Sequence, residues 1–395
     1  MSTSPSPAPA PDAVAPLERR LVLLVGAIVL VDTIFFAAIT PLLPEYTRDL
    51  ALSKASAGVL TAVYGVGVLA GSLPAGWLAG RLGVRPTVLI GLAVMGSSSL
   101  AFGFAHQVVL LDVARFGQGA GGSALWGGGL AWLIAATPRE RRAELMGGAM
   151  GAATFGSLLG PTLGALASVA GTEATFGGVA LAAVGLAWVT VGTAAPPPGH
   201  RRDSGGFARA ARSRPALTGV WLIAVPSLGF GVVAVLAPLR LADLGAGAVA
   251  IGAVFLAASA FETVVSPLVG RLADRRGTAR VARFGLALAA GLTILLPLAG
   301  VGWLFAVVVV LVCPTYGILW VPGMALISEG AEAVGLHQGF AFAIFNMAWA
   351  AAQIAGSGGG AALAQATGDT AVYALLAALC AGTLAVLGRR RTAPA

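Results

Sequence analysis

The sequence predicts an all-α membrane protein with twelve transmembrane helices, arranged as two pseudo-symmetric bundles of six. The composition, the length of the apolar runs and an internal repeat all favour this fold class. Hydrophobic residues make up 57% of the 395 residues and charged residues only 10%, against about 25% charged residues in an ordinary soluble domain. A soluble fold could not remove so much apolar surface from water, which argues against soluble enzymes.

Twelve apolar runs can be separated along the chain, most of them about as long as the roughly 20 residues that cross a bilayer as a helix. Only helices and closed barrels span membranes, and these runs are too long and too uniformly apolar for barrel strands. The predicted spans, numbered first to twelfth in chain order, are 21–43, 56–79, 86–105, 108–136, 143–168, 174–195, 216–238, 248–272, 282–300, 303–327, 338–366 and 370–388.

A polar insertion divides the twelve spans into two sets of six, and the two sets repeat. The octapeptide 76–83 aligns with 270–277 at an offset of 194 residues, and each follows the second span of its half. Such a duplication is typical of transporters that move two bundles about a site near the middle of the membrane. The predicted parts are a disordered cytoplasmic tail (1–20), an N-terminal six-helix bundle (21–195), a cytoplasmic linker (196–215), a C-terminal six-helix bundle (216–388) and a cytoplasmic tail (389–395).

The positive charges predict the orientation of the chain. Of the 24 Lys and Arg, twenty lie in the tails, the linker and the loops of one side, and three lie on the other side. Cytoplasmic loops carry the excess of positive charge, so we expect both termini in the cytoplasm and a multi-pass protein of the inner (plasma) membrane. The basic residues that give the net charge of +8 lie between apolar spans, which favours a bilayer and not a nucleic acid as the partner.

No cofactor or metal is expected. The three His are scattered, and both Cys lie inside apolar runs, where they are typical of small buried side chains. No phosphate-binding loop is present, which argues against an ATP-driven pump.

Three short motifs lie within or directly after the predicted spans. The first is the repeated loop, which reads GRLADRRG at 270–277 and, with Gly80 in place of the Asp, GWLAGRLG at 76–83. The second is Arg115-Phe-Gly-Gln118-Gly in the fourth span, and the third is GSLLGPTLG at 156–164 in the fifth span. The residues of the first and third motifs that we expect to control conformation are Gly76, Arg81, Gly83, Gly156, Gly160, Pro161, Gly164, Gly270, Asp274, Arg275 and Gly277.

With these motifs in twelve predicted spans, the chain resembles the major facilitator superfamily over its whole length after the tail. The resemblance implies a transporter that works by alternating access, in which the repeated loop regulates the switch between states. The motif in the fifth span is similar to that of drug:proton antiporters and implies efflux.

The first span also resembles the vesicular amine transporter branch and its bacterial drug-exporting relatives, on Leu30-Val-Asp32 followed by Pro41. In that branch the Asp is the site of the substrate cation, which implies the same role for Asp32. The acidic set of the branch is incomplete here, because Asn346 stands where the eleventh span of that branch carries an Asp.

Asp32, Arg115 and Glu262 are the predicted proton-coupling or substrate-binding residues, since a charge at bilayer depth costs about 2.5 kcal/mol or more and needs a partner or a role. Asp32 lies about 18 Å along its helix from Arg20, where a proton and a cation could compete for one carboxylate. Its alternative role is a polar contact between helices. Arg115 could modulate Asp32 or pair with Asp112. Glu262 could be a second proton or cation site, or bind a polar group of a neighbouring helix.

Aromatic and amide side chains could line a cavity for organic cations, because a cation is attracted to an aromatic face. The alternative is that these aromatic residues belong to interface belts or helix packing. The candidates are Phe36, Tyr64, Gln118, Trp126, Tyr316, Trp320, Asn346, Trp349 and Gln353.

The predicted function is proton-coupled efflux of small amphipathic or cationic compounds by a monomer that has no enzymatic activity. One alternative is a proton symporter that imports a small metabolite, against which the fifth-span motif argues. A membrane receptor or enzyme would need a soluble domain or a catalytic cluster, and the sequence indicates neither.

Overall fold

The computed structural model of the chain describes residues 11–137, 142–196, 213–333 and 338–389, without the side chains of 11–18, 142–147, 274, 338–340, 342 and 389. The start of the predicted tail (1–10), most of the linker (197–212) and the end of the chain (390–395) lie outside the described residues. The described residues form helices and short turns, with no strand. The α-helices are α1 (Pro11–Ala37), α2 (Ile39–Asp49), α3 (Lys54–Arg81), α4 (Val84–Gly103), α5 (Val108–Ala136), α6 (Arg142–Ala170), α7 (Thr172–Val191), α8 (Arg214–Asp243), α9 (Ala248–Arg276), α10 (Thr278–Thr293), α11 (Gly302–Gly317), α12 (Trp320–Glu332), α13 (Gln338–Ile354), α14 (Gly360–Thr367) and α15 (Asp369–Arg389).

Each of the twelve predicted spans corresponds to helical backbone. The first span consists of α1 and α2, the tenth of α11 and α12, and the eleventh of α13 and α14 joined by a π-helical turn at Ala355–Gly359. The ninth span, α10, ends in a 3₁₀ turn at Leu296–Leu298.

Ten helical segments of the described residues have the length and hydropathy needed to cross a membrane. The fourth and eleventh predicted spans are not among the ten, although α5 is 29 residues long. Both contain runs of glycine together with glutamine, and α5 also carries Asp112 and Arg115. These residues lower the hydropathy of the segment, so the two spans are recognisable as helices but are less apolar than the others.

The first span differs from its prediction at its start and in its interior. Its helix begins at Pro11, within the tail that the sequence predicts to be disordered, because proline is well suited to the first turn of a helix. Within the span the helix is interrupted at Ala38, since Pro41 has no N–H to donate to the carbonyl of Ala37. The tenth span repeats this arrangement, with a turn at residues 318–319 four residues before Pro322.

The same helix pairings occur in both halves of the chain. The first span packs on the fifth, the second on the fourth and the third on the sixth. In the second half, the seventh span packs on the eleventh, the eighth on the tenth and the ninth on the twelfth. The repeated loops also turn in the same way, because Gly83 and Gly277 have φ values of 94° and 85°. Glycine adopts this region at little cost, which explains the glycine at the end of both loop motifs.

The halves contact each other at the end of the helices opposite the linker, here called the distal end. Lys54 at the start of the second span forms an ion pair of 2.6 Å with Asp369 at the start of the twelfth span. The backbone N–H of Ala55 donates to Gln365 Oε1 at 2.9 Å. A Cβ on Gly58 would collide with Ala361 and with the carbonyl oxygen of Ser357. The distal end is therefore closed by contacts between the second span and the eleventh and twelfth spans.

Candidate functional site

Asp32 lies in α1 and is buried, with 3% of its surface exposed. Trp126 of the fourth span donates from Nε1 to Asp32 Oδ2 at 2.9 Å. The hydroxyl of Tyr64 in the second span lies 3.2 Å from both carboxylate oxygens and donates to them. Three spans therefore meet at this carboxylate, and its charged form has hydrogen-bond donors before any ligand binds.

Gly122 of the fourth span makes room for the Asp32 carboxylate. A Cβ at residue 122 would lie 2.6 Å from Asp32 Oδ1 and 3.0 Å from the Tyr64 hydroxyl. Arg115, Gln118, Gly122 and Trp126 follow one another at intervals of three or four residues, so they share one face of α5. The fourth span therefore presents the guanidinium of Arg115, the amide of Gln118, the space at Gly122 and the indole of Trp126 on the same side of the helix.

Arg115 is buried, with 1% of its surface exposed, and lies beside this carboxylate. Its Nη1 donates to Gln118 Oε1 at 3.1 Å, and its guanidinium carbon lies 5.0 Å from the centre of the Tyr64 ring. No ion pair joins Arg115 to Asp112 or to Asp32 in the part of the chain that the structure describes. Tyr64 therefore stands between the two charges, with its hydroxyl on Asp32 and its ring facing Arg115.

The glycines of the fifth-span motif pack that helix closely against the part of the first span around Asp32, from Leu30 to Ala38. A Cβ on Gly156 would lie 2.7 Å from the carbonyl oxygen of Leu30. A Cβ on Gly160 would lie 2.8 Å from the carbonyl oxygen of Ile34, and a Cβ on Gly164 would collide with that of Ala38. Small residues at this spacing allow helix backbones to approach closely in membranes. The motif thus fixes the helix that carries the carboxylate.

Aromatic rings connect this cluster to the second half of the chain. The ring of Phe36, one turn after Asp32, lies 4.8 Å from that of Tyr64 and 5.4 Å from that of Trp349 in the eleventh span. Asp32, Phe36, Tyr64, Arg115, Gln118, Trp126 and Trp349 are therefore brought together, and we call these seven residues the Asp32 cluster.

The other cavity candidates lie in the tenth and eleventh spans. Tyr316 is fully buried within the second half, where its hydroxyl lies 2.6 Å from that of Thr293; its place in a cavity stays a prediction. Trp320 packs edge-on against Phe230 and Phe345. In the eleventh span, Asn346 is partly exposed and Gln353 is buried.

The two loop motifs have few contacts in the described residues. The positions where Gly76 and Gly270 would carry a Cβ have no atom within 4 Å. Arg81 lies over the ring of Trp77, with its guanidinium carbon 5.2 Å from the ring centre. Arg275 is exposed, and the side chain of Asp274 lies outside the described residues.

Glu262 lies in the eighth span and is partly buried. Its carboxylate lies against the tenth span, so that a Cβ on Gly317 would collide with Glu262 Oε1. No hydrogen bond or ion pair to Glu262 is found within the described ranges. The residues that line the small pocket here are Glu262, Val265, Ser266, Val269, Pro314, Gly317, Ile318 and Val321.

The family model of the Major Facilitator Superfamily matches residues 25–338 and, in a second match, residues 227–395. The chain belongs to the Major Facilitator Superfamily. It is therefore an all-α, multi-pass membrane protein with the fold of that superfamily.

Curated relatives of this superfamily member include three proteins named for transport or drug resistance. "Probable vesicular acetylcholine transporter-B" of Danio rerio is 32% identical over 181 residues, which are 43% of this chain and 36% of that protein. "Multidrug resistance protein Stp" of Mycobacterium tuberculosis is 33% identical over 125 residues, 31% of this chain and 23% of Stp. "Quinolone resistance protein NorA" of Staphylococcus aureus is 27% identical over 126 residues, 32% of each chain. The alignments thus span about a quarter to a third of the relatives' length.

Four residues that make notable contacts in the structure were not predicted from the sequence. Gly122 and Gly317 each leave room for a carboxylate, and Lys54 pairs with Asp369 across the two halves. The position of Gly122, seven residues after Arg115 on one helix face, was a usable signal. The ion pair had no such signal, because its residues are 315 positions apart in the chain.

Proposed function

We propose that this protein is a secondary active transporter, not an enzyme, and that it exports small amphipathic or cationic compounds in exchange for protons. Its membership of the superfamily supports transport by alternating access, and the names of its relatives support drug-like substrates. We place it as a monomer in the plasma membrane with both termini in the cytoplasm, in agreement with the distribution of Lys and Arg.

The observation that carries the proposal is the Asp32 cluster. With Asp32 ionised, its charge is balanced by the nearby Arg115, and its oxygens accept from Trp126 and Tyr64. When Asp32 takes up a proton, the charge of Arg115 is left without this counter-charge. The cluster then changes from net neutral to net positive in surroundings where charge is costly. Uptake and release of one proton thereby change the electrostatics of three packed spans.

This change can act on the contact between the halves. Phe36 and Tyr64 of the cluster are in contact with each other, and Phe36 packs on Trp349 of the second half. Alternating access requires only that the protonated and ionised forms prefer different arrangements of the two halves. The position of the cluster at the boundary between the halves supports such a coupling, in which Asp32 is the coupling carboxylate, Arg115 its modulator and Glu262 a supporting acid.

The test is transport in proteoliposomes with an imposed pH gradient, using a cationic dye as the substrate. Asp32→Asn keeps the shape of the side chain but removes its charge and its titration, so uphill accumulation should be abolished. Asp49→Asn, at an exposed position of the same span, is the matched control and should transport like the wild type. Accumulation against the gradient by Asp32→Asn at the wild-type rate would contradict the proposal.

A further inference from the structure

The second acid, Glu262, faces the interruption of the tenth span. α11 ends at Gly317, the residues 318–319 form a turn, and α12 begins at Trp320. The Glu262 carboxylate lies directly against Gly317, the last residue of α11. In transporters, interrupted membrane helices present their free ends to coupling ions and substrates.

The groups around this carboxylate accept hydrogen bonds. Ile318 lines the pocket, and its carbonyl has no donor four residues later because residue 322 is proline. Ser266, one turn after Glu262, also lines this pocket and carries a hydroxyl that can accept a hydrogen bond. A carboxylate and a carbonyl without its helical donor together favour a ligand that carries positive charge and donates hydrogen bonds.

Asp32 and Glu262 occupy comparable places but have different surroundings. Each carboxylate lies against a glycine of the fourth span of its own half, Gly122 for Asp32 and Gly317 for Glu262. Asp32 already accepts from two donors and lies near Arg115, which repels a second cation. Glu262 has neither a donor nor a basic partner in the described part of the chain.

We propose that the pocket formed by Glu262, Ser266 and the turn of the tenth span binds the ammonium head group of the transported compound, while Asp32 carries the proton. This inference rests on the proposed function and divides its chemistry between two carboxylates. The three N–H donors of an ammonium group can be met by the carboxylate of Glu262, the hydroxyl of Ser266 and the carbonyl of Ile318.

The experiment is equilibrium binding to the full chain in lipid nanodiscs at pH 7, without a gradient. The probes are 4-phenylbutylammonium and the uncharged 4-phenylbutanol, which differ only in the head group. We expect the wild type to prefer the ammonium by about tenfold or more, as is typical of hydrogen bonds to a charged group. Glu262→Gln should reduce this preference to near unity, and Asp32→Asn should retain it. Glu329→Gln, at an exposed position of the same half, is the matched control.

A second pair of variants tests the pocket without removing an acid. Gly317→Ala places a methyl group where the Glu262 carboxylate lies, whereas Gly291→Ala adds one where no atom is within 4 Å. Only Gly317→Ala should lower the affinity for the ammonium probe.

Two outcomes would overturn the inference. One is a preference for the ammonium that survives in Glu262→Gln and disappears in Asp32→Asn, which would place the cation at Asp32 and leave proton-coupled transport intact. The other is a wild type that binds the two probes equally. Conversely, a preference that depends on Glu262, together with a failure of the pH gradient to drive accumulation, would support this site and contradict the proposed function.

Discussion

Gly122→Ala tests whether the close seat of Asp32 on the fourth span matters for transport. The new Cβ would lie 2.6 Å from Asp32 Oδ1, whereas ordinary van der Waals contact begins at 3.4 Å. The carboxylate must therefore move by about 0.8 Å, which disturbs its hydrogen bonds with Trp126 and Tyr64. Such crowding costs about 1–3 kcal/mol of folding stability; we expect transport to slow as well, and a rise of about 2 kcal/mol in its barrier corresponds to a roughly 30-fold lower rate.

The matched control is Gly127→Ala on the same helix, where a Cβ would have no atom within 4 Å. Both variants gain the same helix propensity from the exchange of glycine for alanine, so their difference isolates the contact with Asp32. The assay is the initial rate of dye uptake into proteoliposomes under a pH gradient, with thermal unfolding as the check on folding. If Gly122→Ala transports as fast as Gly127→Ala, the carboxylate is not held by this contact and the reasoning fails.

Three further predictions concern the coupling cluster, the distal end and the orientation. Tyr64→Phe removes the hydroxyl that donates to Asp32 but keeps the ring beside Arg115. Because the ionised form of Asp32 then loses a stabilising hydrogen bond, the midpoint of the pH dependence of transport should move to higher pH. An unchanged pH dependence would contradict this role of Tyr64. Lys54→Met should widen the distal end, measured between spin labels on the loops after the first and eleventh spans. The ion pair is part-exposed and contributes about 1 kcal/mol or less, so the ratio of molecules with an open distal end to those with a closed one should rise about fivefold at most. Exchanging Lys54 and Asp369 should restore the closed distal end. A cysteine at Ser204, after both native cysteines are replaced, should react with an impermeant reagent only in permeabilised cells; labelling of intact cells would reverse the predicted topology.

The sequence was sufficient to predict the helices and to single out Asp32 as a candidate. Apolar runs predicted the twelve helical segments because the bilayer imposes one length on all of them. Asp32 and Arg115 stood out because a charge in a span needs compensation. The face shared by Arg115, Gln118 and Trp126 also follows from helical periodicity alone.

Contacts between distant spans could not be predicted in this way. Tyr316 is a cavity candidate because it is an aromatic residue in the tenth span, but the direction of its side chain depends on how that span packs, and nothing in the sequence indicates its contact with Thr293 in the ninth span. The ion pair between Lys54 and Asp369 depends on the position of one half relative to the other. Neither the hydropathy nor the distribution of charges along the sequence gives information on how the two halves are placed.

The π-helical turn at Ala355–Gly359 has a consequence for how the eleventh span meets the second. Such a turn accommodates one residue more than an α-helical turn, and each residue of an α-helix advances the side chains by about 100°. The extra residue therefore rotates all of α14 about its axis relative to α13. In this rotated setting, the backbone N–H of Ala55 donates to Gln365 Oε1 at 2.9 Å. The number of residues in a short glycine-rich stretch, more than their chemistry, thus aligns the distal part of the eleventh span, and deleting one of them would turn Gln365 away while leaving the span helical.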